Sequence, residues 1–300
     1  MKIFQNGNFY QINEGSDEDR YIYMPSINIS IYGVFDGHGG IDTVEYISKH
    51  FTKRFYEYLN AIHNSDTLED DIKDYFKIID IEVCNMLIDK KRDNGSTCAL
   101  VVRIYNKLYI INLGDSKVIL YKNKEKIFET IDHCYNLNSN EQMEINKLIL
   151  LSNHQVSLRP NWKQKILSPT KITMVKDYYI NYKYNNMYQD NLVPTRTFGH
   201  KKLKFKNLMN PYPDITTFTL EENNTYEFII VSDGITDMAI NIDEIYQKLI
   251  TDNEAKSIVE FANNRWKQKW DYYINNELKQ KEIQINGIDD VTAIYCKLNC

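Results

Sequence analysis

No stretch of this sequence approaches the ~20 apolar residues that a membrane-spanning helix needs, and there is no basic excess. Its 36 Lys+Arg face 41 Asp+Glu, a net charge of -5 over 300 residues. The first absence argues against a membrane protein. The second argues against a nucleic-acid binder, which normally carries a basic domain. Cysteine is scarce: Cys84, Cys98, Cys134, Cys296 and Cys300 make an odd count without a CxxC pair. A disulfide framework or a zinc site is therefore not expected; reduced thiols, and with them a cytoplasmic or nuclear location, are. The opening segment MKIFQNGNFYQINEG has one Lys and no apolar core, so it does not read as a secretory leader. Internal repeats, Gly/Ser/Pro linkers and low-complexity tails are also missing. One domain over 1–300 is expected, long enough to bury roughly 75% of the surface the unfolded chain exposes.

What is present is strand and helix patterning. Residues 1–35 read as strands, with Asn6-Gly7 as a hairpin signal and INISIYGVF (27–35) as a β-rich run. Residues 41–62 and 66–90 lack breakers, and Ile72, Tyr75, Phe76, Ile79, Val83, Met86 and Leu87 form one helical stripe, read as core. Residues 96–123 read as a meander of adjacent antiparallel strands. A polar-to-helical stretch follows at 132–150, then an irregular, aromatic, Asn/Lys-rich excursion at 152–193. YEFIIVSDG (226–234) is a buried strand meeting a turn, 241–280 is helical in pattern, and DDVTAIYCKL (289–298) closes the chain as a strand. Strands at both ends with helical blocks between them favour an α+β layered domain.

The informative feature is where the acids sit. Glu18-Asp19 precede a strand, Asp36 ends one in VFDGHGG, Asp233 ends another in IIVSDGITD, and Asp289-Asp290 precede the last. A single Asp-Gly is ordinarily a turn. Four acidic positions at strand mouths, two of them Asp-Gly, fit a site for hard divalent cations, which take carboxylates, backbone carbonyls and water. Without cations, so many carboxylates in one cleft would raise one another's pKa. Ser96 and Thr97 have no base beside them, so a serine nucleophile is rejected.

The same residues carry a resemblance. In order along the chain stand Glu18-Asp19, YGVFDGHGG (32–40), NGSTCALVV (94–102), YIINLGDSKVILY (109–121), Asp132-His133 with Glu141 or Glu144 downstream, TRTFGH (195–200), FIIVSDGITD (228–237) and DDVTAIY (289–295). The sequence resembles the metal-dependent Ser/Thr protein phosphatases of type two C. The resemblance implies a four-layer αββα sandwich, two packed antiparallel sheets flanked by helices, with a metal cleft at one end and a flap-like insertion at about 152–193. It implies two Mn2+ or Mg2+ ions, with Asp36 bridging them, the Gly37 carbonyl ligating one, Asp233 and Asp289 completing that ion's shell, and Glu18 serving the other. Asp19 and Asp290 would support these ligands. Asp115 and Asp237 match positions that hold a third ion in some relatives; alone they read as a turn Asp and a helix-start Asp. A water bridging the ions would attack phosphorus, with His38 as the acid that protonates the leaving oxygen. His133 would support the sheet, and Gly39-Gly40 would let the next helix start close to the site. The implied partner is a phosphoserine/phosphothreonine protein substrate; no nucleic acid and no membrane are expected, and the chain should act as a monomer.

Three positions depart from the pattern. Glu14 stands where the family usually has an Arg that grips the substrate phosphate, His200 replaces an Asp in TRTFGH, and Asp290 replaces an Asn. Losing one partner of a desolvated charge pair costs ~2–5 kcal/mol, roughly 30- to several-thousand-fold. That is small beside the up to ~10^21-fold acceleration enzymes reach on phosphate monoesters. Arg20, Lys2 or a flap lysine are candidates to replace the Arg. A working or weakened phosphatase is therefore favoured over the alternative, a pseudophosphatase acting as a binding or scaffold module.

Overall fold

The computed structural model describes residues 3–152, 155–184, 187–204, 209–274, 277–284 and 287–300. The chain opens with β1 (Phe4–Ile12), β2 (Asp19–Met24) and β3 (Ile29–His38), followed by α1 (Asp42–Ile62) and α2 (Leu68–Lys90). Next come β4 (Gly95–Ser96), β5 (Cys98–Ile104), β6 (Lys107–Leu113), β7 (Lys117–Lys122) and β8 (Glu125–Glu129). Helix α3 (Ser139–Leu151) leads to β9 (Val156–Ser168), β10 (Lys171–Tyr184), β11 (Met187–Leu192), β12 (Phe198–Gly199) and the single turn α4 (Lys201–Lys204). The last third holds β13 (Asp214–Thr219), β14 (Thr225–Val231), α5 (Asp233–Thr236), α6 (Ile242–Leu249), α7 (Ala255–Lys267), β15 (Lys269–Ile274), β16 (Glu277–Glu282) and β17 (Val291–Asn299).

Two antiparallel sheets form the centre. One runs β1-β17-β14-β7-β8; the other runs β12-β4-β3-β5-β6-β13, with β2 paired to β3. Tyr32, Val34, Val101 and Ile110 of one sheet pack against Val118, Phe228, Ile230 and Ile294 of the other. The outer face of the β3 sheet is covered by α1 and α2 through Val44, Ile47, Phe51, Phe55, Ile72, Phe76 and Val83. The outer face of the β14 sheet is covered by α6 and α7 through Ile245, Leu249, Ile258, Val259 and Trp266. Strands β3 and β5 are buried on both faces, which is why they read as continuous apolar runs instead of alternating ones. This is the four-layer αββα sandwich. All five cysteines are free, and four of them are buried. Among the described residues no helix is long and apolar enough to cross a membrane.

Four local expectations need correction. Asn6-Gly7 makes no hairpin: β1 runs straight through it, pairing Gly7 with Cys296. A two-residue turn signal is overridden here by the continuous pairing of Phe4–Ile12 with β17. A Cβ at position 7 would lie 2.4 Å from the Tyr295 carbonyl oxygen, so close strand approach explains this glycine. The 96–123 meander is broken, because β5 and β6 pair with each other while β7 pairs with β14 and β8 in the other sheet. The turn at Gly114 (φ 115°) makes that crossing. The 152–193 excursion is not irregular: β9 and β10 form a long antiparallel pair. Its apolar face is thin (Val156, Ile166, Ile172 and Ile180 are buried), and the intervening Lys, Asn and Tyr residues mask the period of two. Finally, helix stops at Lys267 within 241–280, and β15 and β16 pair antiparallel with each other and join β9, β10 and β11 in a third sheet.

Candidate metal centre

The acidic segments meet because strand pairing forces them together. Register between β2 and β3 sets Asp19 opposite Asp36. The Gly37 amide donates to the Glu18 carbonyl at 3.0 Å. On the other sheet, the Ser232 amide donates to the Thr292 carbonyl at 3.1 Å, and the Thr292 amide donates to Ser232 Oγ at 3.0 Å. That pairing presses Asp233-Gly234 against Asp289-Asp290: a Cβ on Gly234 would stand 2.1 Å from the Asp290 carbonyl oxygen. The two sheets are then tied across the mouth. Thr292 Oγ1 donates to Asp19 Oδ2 at 2.7 Å, and Asp290 accepts from the Glu18 amide at 2.7 Å and the Gly15 amide at 3.1 Å. Asp19 and Asp290 are thus buried struts, while Glu18, Asp36, Asp233 and Asp289 keep contact with solvent. Glu18 Oε1 also accepts from the Gly40 amide at 2.5 Å. Gly39 (φ 77°) and Gly40 (φ 132°) make the turn that brings α1 up to the site, a backbone few other residues adopt.

The electrostatics of this arrangement are those of crowded carboxylates. Burial, then the charges of Asp233, Asp19 and Asp289, push Asp36 well above the usual carboxylate range. Burial and then Asp233 push Asp289 up to about 9. Burial carries Asp19 up to about 7 against its bond from Thr292. Such a cluster calls for cations. Its donor chemistry, all carboxylate and carbonyl oxygen, fits hard divalent ions such as Mg2+ or Mn2+. Among the described residues, no three His, Cys, Asp or Glu side chains already stand grouped to hold an ion. The repelling carboxylates share a cleft without converging on one point.

His38 lies at the same mouth, its ring stacked on that of His200 with centroids 4.9 Å apart. Its Nε2 is buried without a hydrogen-bond partner, and burial lowers its pKa to about 4, so the ring is neutral. His200, in place of the family Asp, is buried at φ 49° and caps α4 through its carbonyl. His133 is fully buried, with Nδ1 accepting from the Gly114 amide at 2.9 Å, which makes it a support for the sheet crossing.

Asp115 is in the turn after β6 and Asp237 caps the end of α5, not the start of a helix. Burial and then Asp233 raise Asp115 to about 8. Asp237 is paired with Lys163 Nζ at 2.6 Å. At the phosphate-gripping position, Glu14 is paired with Lys267 Nζ at 2.6 Å. Arg20 donates to the Asp19 carbonyl at 2.7 Å and pairs with Asp17, so it is already engaged. Lys2 lies outside the described residues. Sequence reasoning missed three residues at this site: Lys163, Lys267 and Trp266, whose indole N–H donates to the Gly234 carbonyl at 2.8 Å.

A family model described as protein phosphatase 2C matches residues 11–148 and 173–270. The chain belongs to the protein phosphatase 2C family. The match skips part of the β9-β10 hairpin and ends before Asp289 and Asp290, whose position beside Asp233 comes from the β14-β17 pairing. A rice protein (Oryza sativa subsp. japonica), "Probable protein phosphatase 2C 56", is 27% identical over 261 residues, 83% of this chain and 63% of that protein. The chain thus spans less than two-thirds of that relative, and 23% of a second rice protein phosphatase 2C. Among solved structures, the serine-threonine phosphatase 2C from Toxoplasma gondii matches with a TM-score of 0.63 and 17% identity, covering 98% of this chain and 95% of that one. The catalytic domain of the serine/threonine protein phosphatase PstP, solved with two manganese ions, matches with a TM-score of 0.55 and 13% identity, covering 99% of this chain and 100% of that one. These likenesses establish the fold.

Proposed function

We propose that this protein is a metal-dependent protein serine/threonine phosphatase acting on phosphoserine and phosphothreonine in proteins. The observation that carries the reading is the meeting of Asp36, Asp233 and Asp289 at one cleft, where burial and neighbouring carboxylates raise Asp36 and Asp289, with Glu18 bonded through its carbonyl to the Gly37 amide beside them. Asp36, Glu18, Asp233, Asp289 and the Gly37 carbonyl would hold two ions. When bound, Mn2+ or Mg2+ makes a water nucleophilic near neutral pH and neutralises the phosphate. The chain's own groups do the rest. Asp19 and Asp290 fix the Glu18 loop, and the buried Ser232–Thr292 pairing fixes Asp233 relative to Asp289. His38 lies beside the cleft as the proton donor to the leaving oxygen; because burial keeps it neutral, the bound phosphate dianion must first raise its pKa. Lys267, drawn to Glu14 at the rim, is the cation next to the position of the missing Arg. An intracellular site of action, cytoplasmic or nuclear, fits five unpaired cysteines.

The test is phosphate release from a phosphothreonine peptide. Release that requires Mn2+ and stops with EDTA is expected; peptide binding without turnover at any Mn2+ concentration would replace the phosphatase reading with the scaffold one.

A further inference from the structure

Beside the main cleft lies a cavity of about 300 Å3 lined by Asp115, Asp132, Cys134, Lys163, Asp233 and Asp237. Asp132 is satisfied there, because Lys117 Nζ stands 2.6 Å from its Oδ1. Asp115, Asp233 and Asp237 are left; three lysines also line the cavity, Lys163, Lys165 and Lys176, and the one that pairs with Asp237 is Lys163 from the middle of β9, opposite Val175 of β10. We infer that the Lys163 ammonium is a built-in cation at the third-ion position, so that this protein carries a two-ion centre and its flap strand is anchored to that centre. The inference rests on the two-ion reading above and goes beyond it, since it assigns the third position to the protein itself.

The geometry is specific. Lys163 Nζ is 2.6 Å from Asp237 Oδ1, within charge-assisted hydrogen-bond range. An ammonium offers three donors and no acceptor, and can be met by several carboxylates as a small metal ion can. Being tethered, it acts at an effective concentration on the order of mM or higher, against which a weakly held free ion must compete. The same bond keeps Lys163 from serving as a substitute phosphate grip. It adds a polar tie to the apolar contacts of Val156 and Ile166 that already hold β9.

The experiment counts bound Mn2+ by calorimetric titration and by metal analysis after dialysis, on the full chain. Wild type and Lys163→Arg, which keeps the charge, should each bind two ions. Lys163→Met should bind a third, weaker ion, and adding Asp237→Asn should remove it. If Lys163→Met does not fold, Lys163→Gln, which can still donate to Asp237 without a charge, takes its place. Three ions on the wild type, or two on the uncharged variant, would overturn the inference while leaving the phosphatase reading intact. No ion on any variant would overturn both.

Discussion

Asp36 is flanked by three other carboxylates that, after burial, raise its pKa. Asp36→Asn keeps the shape, removes one repelling charge and removes a metal ligand. Turnover with Mn2+ should fall at least ~100-fold, about 2.7 kcal/mol, while the melting temperature in EDTA stays level or rises. Asp233→Asn should behave likewise in the same steady-state assay and thermal melt; near-normal turnover in either would refute the ligand assignment. These aspartates were legible in the sequence because a strand that delivers an acid to its mouth leaves a local trace: β-branched run, Asp, small residue. Lys163 and Lys267 leave none. Their partners, Asp237 and Glu14, are remote in sequence, and one lysine among 36 Lys+Arg is indistinguishable until the fold pairs it.

The elements differ in how openly they announce themselves. Helices α1 and α2 were readable from spacing, since Val44, Ile47, Phe51, Phe55 and Leu59, or Ile72, Phe76, Ile79, Val83 and Leu87, recur every three to four residues and are all buried. The third sheet was not, because most of its described strand residues are only partly buried or exposed and one thin row is apolar. Helix α7 was legible as a helix but not in its task. Its Trp266 packs on the β14 sheet and donates to the Gly234 carbonyl, one residue beyond Asp233. Trp266→Phe retains the packing and leaves that carbonyl without its donor, which should cost about 1–2 kcal/mol of stability in urea denaturation. Mn2+ affinity should also weaken if the helix positions the Asp233 turn; stability loss with unchanged affinity would show the bond to be structural alone.

For the molecule as a whole, the cleft exchanges protons for cations. Asp19, Asp115 and Asp289 have folded-state pKa values of about 7, 8 and 9, raised first by burial, against an ordinary 3.8. The folded state therefore holds protons that the unfolded chain has released. Stability in EDTA should be full below about pH 4 as far as these groups are concerned, should fall as pH rises above that, and should level off once pH has passed the folded values of about 7 to 9. Mn2+ should abolish that fall, because it replaces the protons. A melting temperature that rises with pH in EDTA would contradict this. The layered fold was readable from the sequence because its motifs stand in order from Glu18 to Asp290. The flap's place at about 152–193 was readable too, but not its strands, and the family match breaks within it, resuming at residue 173. If carboxylates from both ends of the chain close around shared ions, anomalous diffraction at the manganese edge, on crystals grown with Mn2+, should show two peaks within ligand distance of Asp36, one of them also touching Asp233 and Asp289; a cleft without a peak beside Asp36 would refute the two-ion centre.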